Sequence, residues 1–245
     1  MKKGTQSRGY FIGGIIFVVI LTFIVVKGDL LLNYVMSQKD ALPVRAVKID
    51  GVFKQLTKKQ IADVTGRVCA GQNIATLDLN VLKQTLLKEP WIAQVAIQKK
   101  MPDTLLLSVI EHVPAAYWND EGLCDAKTKS IFYPDLSKFN QPLVKLGAFS
   151  DDFCQEVYES AVLFIRAMSN SRYQMVALYL DNVRSYTLTL DNGTLLILGR
   201  GQKKALTRLK RFLEAFSHSG LNIDDVEYVD LRYDVGFAVG KKSQS

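Results

Sequence analysis

Histidine and cysteine are scarce in this chain: two histidines and three cysteines in 245 residues. His112 follows Glu111 in a strand-like stretch. His218 stands at a helix end, where a charged imidazole suits the dipole. Neither has metal-ligand spacing, and Glu111-His112 lacks the remainder of a zincin pattern. Three cysteines, Cys69, Cys124 and Cys154, exclude a complete disulfide framework. No C-x-x-C occurs, so neither a zinc knuckle nor a redox motif is supported. An oxidising compartment permits one pair, which the sequence does not choose, and at least one thiol reads as a small buried hydrophobe. The G-x-S-x-G elbow of a serine hydrolase is missing. Gly4 and Gly9 have P-loop spacing, but Tyr10 replaces the lysine. Gly199-Arg200-Gly201 is half of a dinucleotide fingerprint, with Lys204 where the third glycine belongs, and reads as a strand-to-helix turn. Asn192-Gly193-Thr194 matches a glycosylation sequon, yet a hairpin turn explains it. The expectation is no enzyme, no cofactor and no metal. Low complexity is missing too, apart from Lys241 to Ser245.

What the chain does have is an uncharged apolar run, Tyr10 to Val26, followed by Lys27, Asp29 and the apolar Leu30–Leu32. A helix needs about 20 residues to cross a ~30 Å hydrocarbon core. Lys27 snorkels and Leu30–Leu32 extend the reach. No small-x-small cleavage site follows, which argues against a signal peptide. A buried core helix is the bland alternative, but β-branched residues on every face with no polar side would be odd for one at an N-terminus. Lys2, Lys3 and Arg8 precede the run without an acidic residue, whereas Lys27 and Lys39 are offset by Asp29 and Asp40. The positive-inside rule then keeps a short N-terminus in the cytoplasm and sends roughly 215 residues across the membrane. Of the net charge of +7, those three N-terminal cations account for three, leaving +4. That is too mild and too evenly mixed for a nucleic-acid protein.

Beyond a polar connection over residues 33–42 and Pro43, Val44–Ile49 alternates as a half-buried strand. Thr57-Lys58-Lys59-Gln60 fits a capping box, opening a helix that ends at Gly66. A second helix starts near Asp78, with Leu79, Leu82, Leu86 and Leu87 on one side, and stops at Glu89-Pro90. Two strands follow, Trp91–Lys99 and Thr104–Val113, around a Met101-Pro102-Asp103 turn. Strand, helix, helix, strand, strand predicts two helices on one small sheet. After Pro114 come short strands near Trp118, Leu123, Ile131–Tyr133 and Leu143–Leu146, with a hairpin signal at Asn119–Gly122. A helix spans Asp152–Met168. The strands Gln174–Leu180, Ser185–Leu190 and Thr194–Leu198 follow, then a helix over Gln202–Phe216. The last strands are Val226–Leu231 and Gly236–Val239. No internal repeat occurs.

The final stretch is unusual. Tyr228, Arg232 and Tyr233 stand among apolar strand residues, and Tyr and Arg are favoured interface anchors. Residues 235–240 carry no charge or proline to blunt a sheet edge. As the last strand, this segment would be open to strand addition by a partner. As a central strand, it would put Tyr228 and Tyr233 in the core.

Three stretches in this order, PWIAQVAIQKKMPDTLLLSVIEHVPAAYW (Pro90–Trp118), LILGRG (Leu196–Gly201) and YVDLRYDVGFAVG (Tyr228–Gly240), resemble the FtsQ/DivIB family of bacterial division proteins over nearly the whole length. The resemblance implies an α+β chain: a cytoplasmic tail (1–9), a single N-terminal transmembrane helix with its extension (10–32), and a POTRA domain of two helices on a small three-stranded sheet (43–113). A larger mixed β-sheet domain with helices on one face (114–240) and a tail (241–245) complete it. It implies a scaffold of the inner membrane and the septum, with its domains in the periplasm, that binds FtsB and FtsL and helps control septal peptidoglycan synthesis. Carried over, the partner-binding edge holds Tyr228, Arg232, Tyr233, Val235, Gly236 and Phe237, with Arg184 as a basic contact. The POTRA domain is implied to recruit further division proteins. Related sequences carry an aromatic residue after the final glycine, where Lys241 stands here. Outer-membrane assembly factors also contain POTRA modules but need a following barrel, for which this chain has no room. An anchored cell-wall hydrolase is the remaining alternative.

Overall fold

The computed structural model describes residues 6–37, 41–217 and 222–242. Lys2, Lys3, Gly4, Lys39, Asp40, His218 and the last three residues lie outside them. The chain divides into two units, Met1–Glu111 and His112–Ser245.

The first unit begins with one helix, α1 (Gln6–Ser37), which contains the whole apolar run. Among the described residues, no helix is long and apolar enough to cross a membrane. Within the run, side chains are described only from Gly14 to Gly28, a stretch of about 22 Å. The expected membrane span is thus seen as a helix and no more.

The rest of this unit is α+β. Strand β1 (Ala46–Asp50), helices α2 (Lys58–Cys69) and α3 (Leu79–Leu86), and strands β2 (Ile92–Lys100) and β3 (Thr104–Glu111) follow in order. The sheet runs β1-β3-β2, with β1 parallel and β2 antiparallel to β3. The capping box forms as the sequence predicts: Gln60 donates its N–H to the Thr57 hydroxyl, and the Thr57 N–H goes to the Gln60 side chain. Asp78 caps α3. Helix α2 does not stop at Gly66 as expected. Its buried stripe Ile61, Thr65 and Cys69 continues one turn past the glycine, and packing outweighs the ~1 kcal/mol that a helical glycine costs. Leu82, Leu86, Leu105 and Leu107 fill the core beside Ile61.

The second unit holds a nine-stranded mixed sheet. Its elements are β4 (Pro114–Trp118), β5 (Gly122–Asp125), β6 (Ile131–Phe132), β7 (Val144–Ala148), α4 (Cys154–Ala167), β8 (Met175–Leu180), β9 (Ser185–Leu190) and β10 (Leu195–Arg200). Helix α5 (Gln202–Ser217), β11 (Val226–Asp230) and β12 (Ala238–Lys241) complete it. The spatial order is β12-β11-β10-β9-β8-β7-β4-β5-β6. Val157, Ala161 and Phe164 of α4 share one core cluster with Leu209 and Phe212 of α5 and with Leu178, Leu188, Leu196 and Leu198 of the sheet. Asn119 and Asp120 take left-handed φ values of 46° and 61°, as the β4–β5 hairpin demands. A short 3-10 turn, Asp151–Phe153, precedes α4, so the regular helix starts two residues after the expected Asp152.

Candidate partner-docking edge

The C-terminal border of this sheet is built outward from β10. Strand β11 lies parallel to β10, pairing Leu195 with Tyr228 and Leu196 with Val229. Parallel neighbours need a crossover, and α5 supplies it. Strand β12 then folds back antiparallel on β11, placing Tyr228 opposite Gly240, Val229 opposite Val239 and Asp230 opposite Ala238. It ends the strand order.

The phase of the hydrogen bonds decides which groups face outward. Lys242 donates its N–H inward to the Asp225 carbonyl at 3.0 Å. Alternation along the strand then turns Gly240 and Ala238 inward, and turns the N–H and C=O of Val239 and Lys241 outward. Leu231 fixes the same phase from the other side, donating to the Ile197 carbonyl of β10 at 2.9 Å. The open border therefore consists of the backbone of Val239 and Lys241. Neither residue is among the partner-binding residues that the sequence implies, although Val239 falls in the expected last strand and Lys241 stands where related sequences carry an aromatic residue.

Tyr228 sits one strand in, on β11, and is 41% exposed. Its ring covers Gly240 so closely that a Cβ there would lie 2.2 Å from Cε1. An aromatic ring laid over a cross-strand glycine protects a weak point of an edge strand. Side chains on β11 and β12 thus form one surface beside the open backbone.

The expected final strand from Gly236 starts later. Residues 232–237 form a bend, in which Gly236 takes a left-handed φ of 78° that suits its missing Cβ. Phe237 is drawn inward, its ring 5.4 Å from that of Phe212 in edge-to-face contact. Tyr233 and Val235 stay out, at 55% and 94% exposure. Two arginines of α5 hold the bend. Arg208 donates to the carbonyls of Leu198 (2.8 Å) and Arg232 (3.1 Å). Arg211 donates to the carbonyls of Asp234 and Tyr233, the latter at 2.6 Å. Arg208 and Arg211 also escaped the sequence reading, since a basic helix face usually means solvation. Arg232 turns back on Asp230, with Nη2 2.7 Å from Oδ2 and Nε 2.9 Å from Oδ1. That bond raises the guanidinium pKa and lowers that of the Asp230 carboxyl.

Arg184 is not brought to this border, because β10 and β11 separate β9 from β12. Its Nη2 bridges both oxygens of Glu156 at 2.8 and 2.9 Å, and the guanidinium lies 4.5 Å above the Phe153 ring. Glu156 also accepts from the Tyr186 hydroxyl at 2.8 Å. Burial, together with this carboxylate, pushes the Tyr186 phenol up to about 12.

The residues first weighed as chemical candidates have local structural duties. His112 stacks on Phe132 at 4.2 Å and meets Asp125 at 2.9 Å through Nδ1. Glu111 accepts three backbone N–H groups, from Lys54 (2.7 Å), Gln55 (2.9 Å) and Leu56 (2.7 Å). Gly199 and Gly201, with φ of 76° and 81°, turn β10 into α5. Among the described residues, no group of three or more His, Cys, Asp or Glu is placed to hold a metal ion.

Comparison with known proteins decides the family. The family described as POTRA domain, FtsQ-type, matches residues 42–112, and that described as Cell division protein FtsQ/DivIB, C-terminal, matches residues 116–232. The chain belongs to the FtsQ/DivIB family. It is 30% identical over 213 residues to the cell division protein FtsQ of Aliivibrio fischeri, covering 85% of this chain and 80% of that one. Its identity to FtsQ of Vibrio cholerae is 28% over 242 residues, covering 98% and 90%. To FtsQ of Escherichia coli it is 29% over 242 residues, covering 96% and 86%. The C-terminal family match stops at Arg232, so the bend and β12 lie just beyond it.

Proposed function

We propose that this FtsQ/DivIB-family chain is a non-enzymatic, bitopic scaffold of the bacterial division machinery. It binds FtsB, and with it FtsL, by adding a strand of the partner to β12, and so helps control septal peptidoglycan synthesis. The observation that carries the reading is the outward N–H and C=O of Val239 and Lys241 at the end of the sheet order. Main-chain bonds to such a border supply affinity, and flanking side chains supply selectivity. Tyr228, Tyr233 and Val235 are the exposed apolar contacts there, with Lys241 favouring an acidic partner and Arg232 beside them paired to Asp230. Gly236 and Phe237 shape the bend rather than meet the partner. Arg184 contributes through Glu156 to the unit's own packing.

On this reading α1 is the anchor, with the N-terminus cytoplasmic, the α+β part of the first unit and the whole second unit in the periplasm, and the protein gathered at the septum of the inner membrane. Retention of the full chain in membranes after alkaline extraction checks the anchor, and release into the wash contradicts it.

Proline scanning of the border tests the docking mode. Lys241→Pro or Val239→Pro removes an outward N–H and leaves the bonds to β11 in place, as edge prolines do. Either variant should fold normally and lose capture of the FtsB periplasmic segment in a pull-down. Capture at the unaltered level by a folded Lys241→Pro chain would rule out strand addition here.

A further inference from the structure

Three buried cysteines are distributed unequally. Cys69 stands alone in the core of the first unit, where burial raises its pKa. Cys124, on β5, and Cys154, the first residue of α4, face each other in the core of the second unit with their sulfurs 2.9 Å apart. Non-bonded heavy atoms normally settle at about 3.5–4 Å, so this approach is already inside ordinary contact. Less than about 1 Å of further movement reaches the ~2.05 Å of an S–S bond. Exposures of 0% and 3% keep both residues away from solvent, and a 2.9 Å separation leaves no room for another atom between the sulfurs. Two facing thiols at this distance are placed for cross-linking.

We propose that Cys124 and Cys154 are joined by a disulfide in the working protein, stapling the β4–β5–β6 end of the sheet to the start of α4. The inference rests on the periplasmic placement proposed above, because the oxidant must be a disulfide-donating protein or small molecule of an oxidising compartment. The exchange balances in two steps. One cysteine thiolate attacks the donor's S–S bond, forming a mixed disulfide and expelling one donor thiolate. The second cysteine thiolate attacks the mixed disulfide and expels the other. The two protein thiols lose two protons and two electrons together, and the donor leaves as two thiols. Burial in the folded unit dictates that this happens while the segment 124–154 is still folding.

In the reduced state the two sulfurs stay in contact. Either thiol can donate to the other, and this contact holds Cys124 below its ordinary pKa, helped by Lys129, while with burial it pushes Cys154 above it. The cross-link closes a loop of about 30 residues, which constrains the unfolded chain. The opposite end of the sheet, which carries β12, has no comparable staple among the described residues.

The test uses the full-length chain in intact cells, acid-quenched, denatured, alkylated with N-ethylmaleimide and mapped without reduction. The expected result is one peptide pair joining Cys124 to Cys154, lighter by two hydrogens than its reduced parts, with Cys69 alkylated. Three alkylated cysteines would overturn the proposal. In that event, refolding the purified full-length chain with oxidised glutathione identifies the failed premise. A link that forms there but not in cells faults the placement, and a link that forms in neither faults the geometry.

Discussion

Removing the Glu111 carboxylate should unfasten the segment that leads into α2. Glu111 is 7% exposed, and its Oε2 takes the Lys54 N–H while Oε1 takes those of Gln55 and Leu56. Hydrogen bonds to a charged acceptor contribute about 1.5–3 kcal/mol each. In Glu111→Gln, the amide oxygen keeps the two bonds of Oε1, and the amide NH2 turns a donor toward the Lys54 N–H. The expected cost is about 2 kcal/mol. Glu111→Ala strands all three donors, and the cost rises to about 4 kcal/mol, limited by water reaching the exposed Lys54. For a domain of this size, 2 kcal/mol corresponds to a fall of about 10 °C in the unfolding midpoint of the first unit. Amide hydrogen exchange gives the sharper assay. In Glu111→Gln the Lys54 amide should lose protection while Gln55 and Leu56 retain most of theirs. Full protection of Lys54, with stability within about 0.5 kcal/mol of the parent, would refute the assignment of Glu111 as a backbone clamp.

Asp125 gives a pH dependence. Burial alone would raise its pKa, but N–H groups of Thr128, Val113 and Lys127 and the His112 ring outweigh burial and hold it at about 2. Its folded value lies below its unfolded value, so the stabilisation is complete above about pH 4 and is lost as pH falls through about 2; the loss is on the order of 2 kcal/mol. Acid unfolding of Asp125→Asn should lack that limb, and an unchanged acid slope would contradict it. Arg211→Ala frees the Tyr233 and Asp234 carbonyls; exchange at residues 233–237 should quicken and FtsB capture weaken on the order of tenfold, or about 1.4 kcal/mol. Unaltered exchange there would show that Arg211 does not hold the bend.

Local signals carried much of this fold. The capping box at Thr57 and Gln60, the start of α3 near Asp78 and the span of α5 are read directly, because each depends on neighbours within one or two turns. Contacts distant in sequence were not legible. Helix α2 runs past Gly66 because Cys69 finds a core supplied by other elements. Arg184 looked available until Glu156, 28 positions away, was found against it. The pairing of Cys124 with Cys154 and the inward turn of Phe237 likewise follow from packing alone. At the edge, the aromatic and arginine-rich stretch marked the region. Only strand phase separates the outward Val239 and Lys241 from the inward Ala238 and Gly240.

The docking claim turns on two amides. Hydrogen exchange of the full chain should be followed at Val239 and Lys241, alone and with a saturating FtsB periplasmic segment. Strand addition predicts rapid exchange in the free chain and slowing by at least about 100-fold in the complex, with Gly240 protected in both. Tight FtsB binding that leaves Val239 and Lys241 exchanging at their free rates would contradict the account.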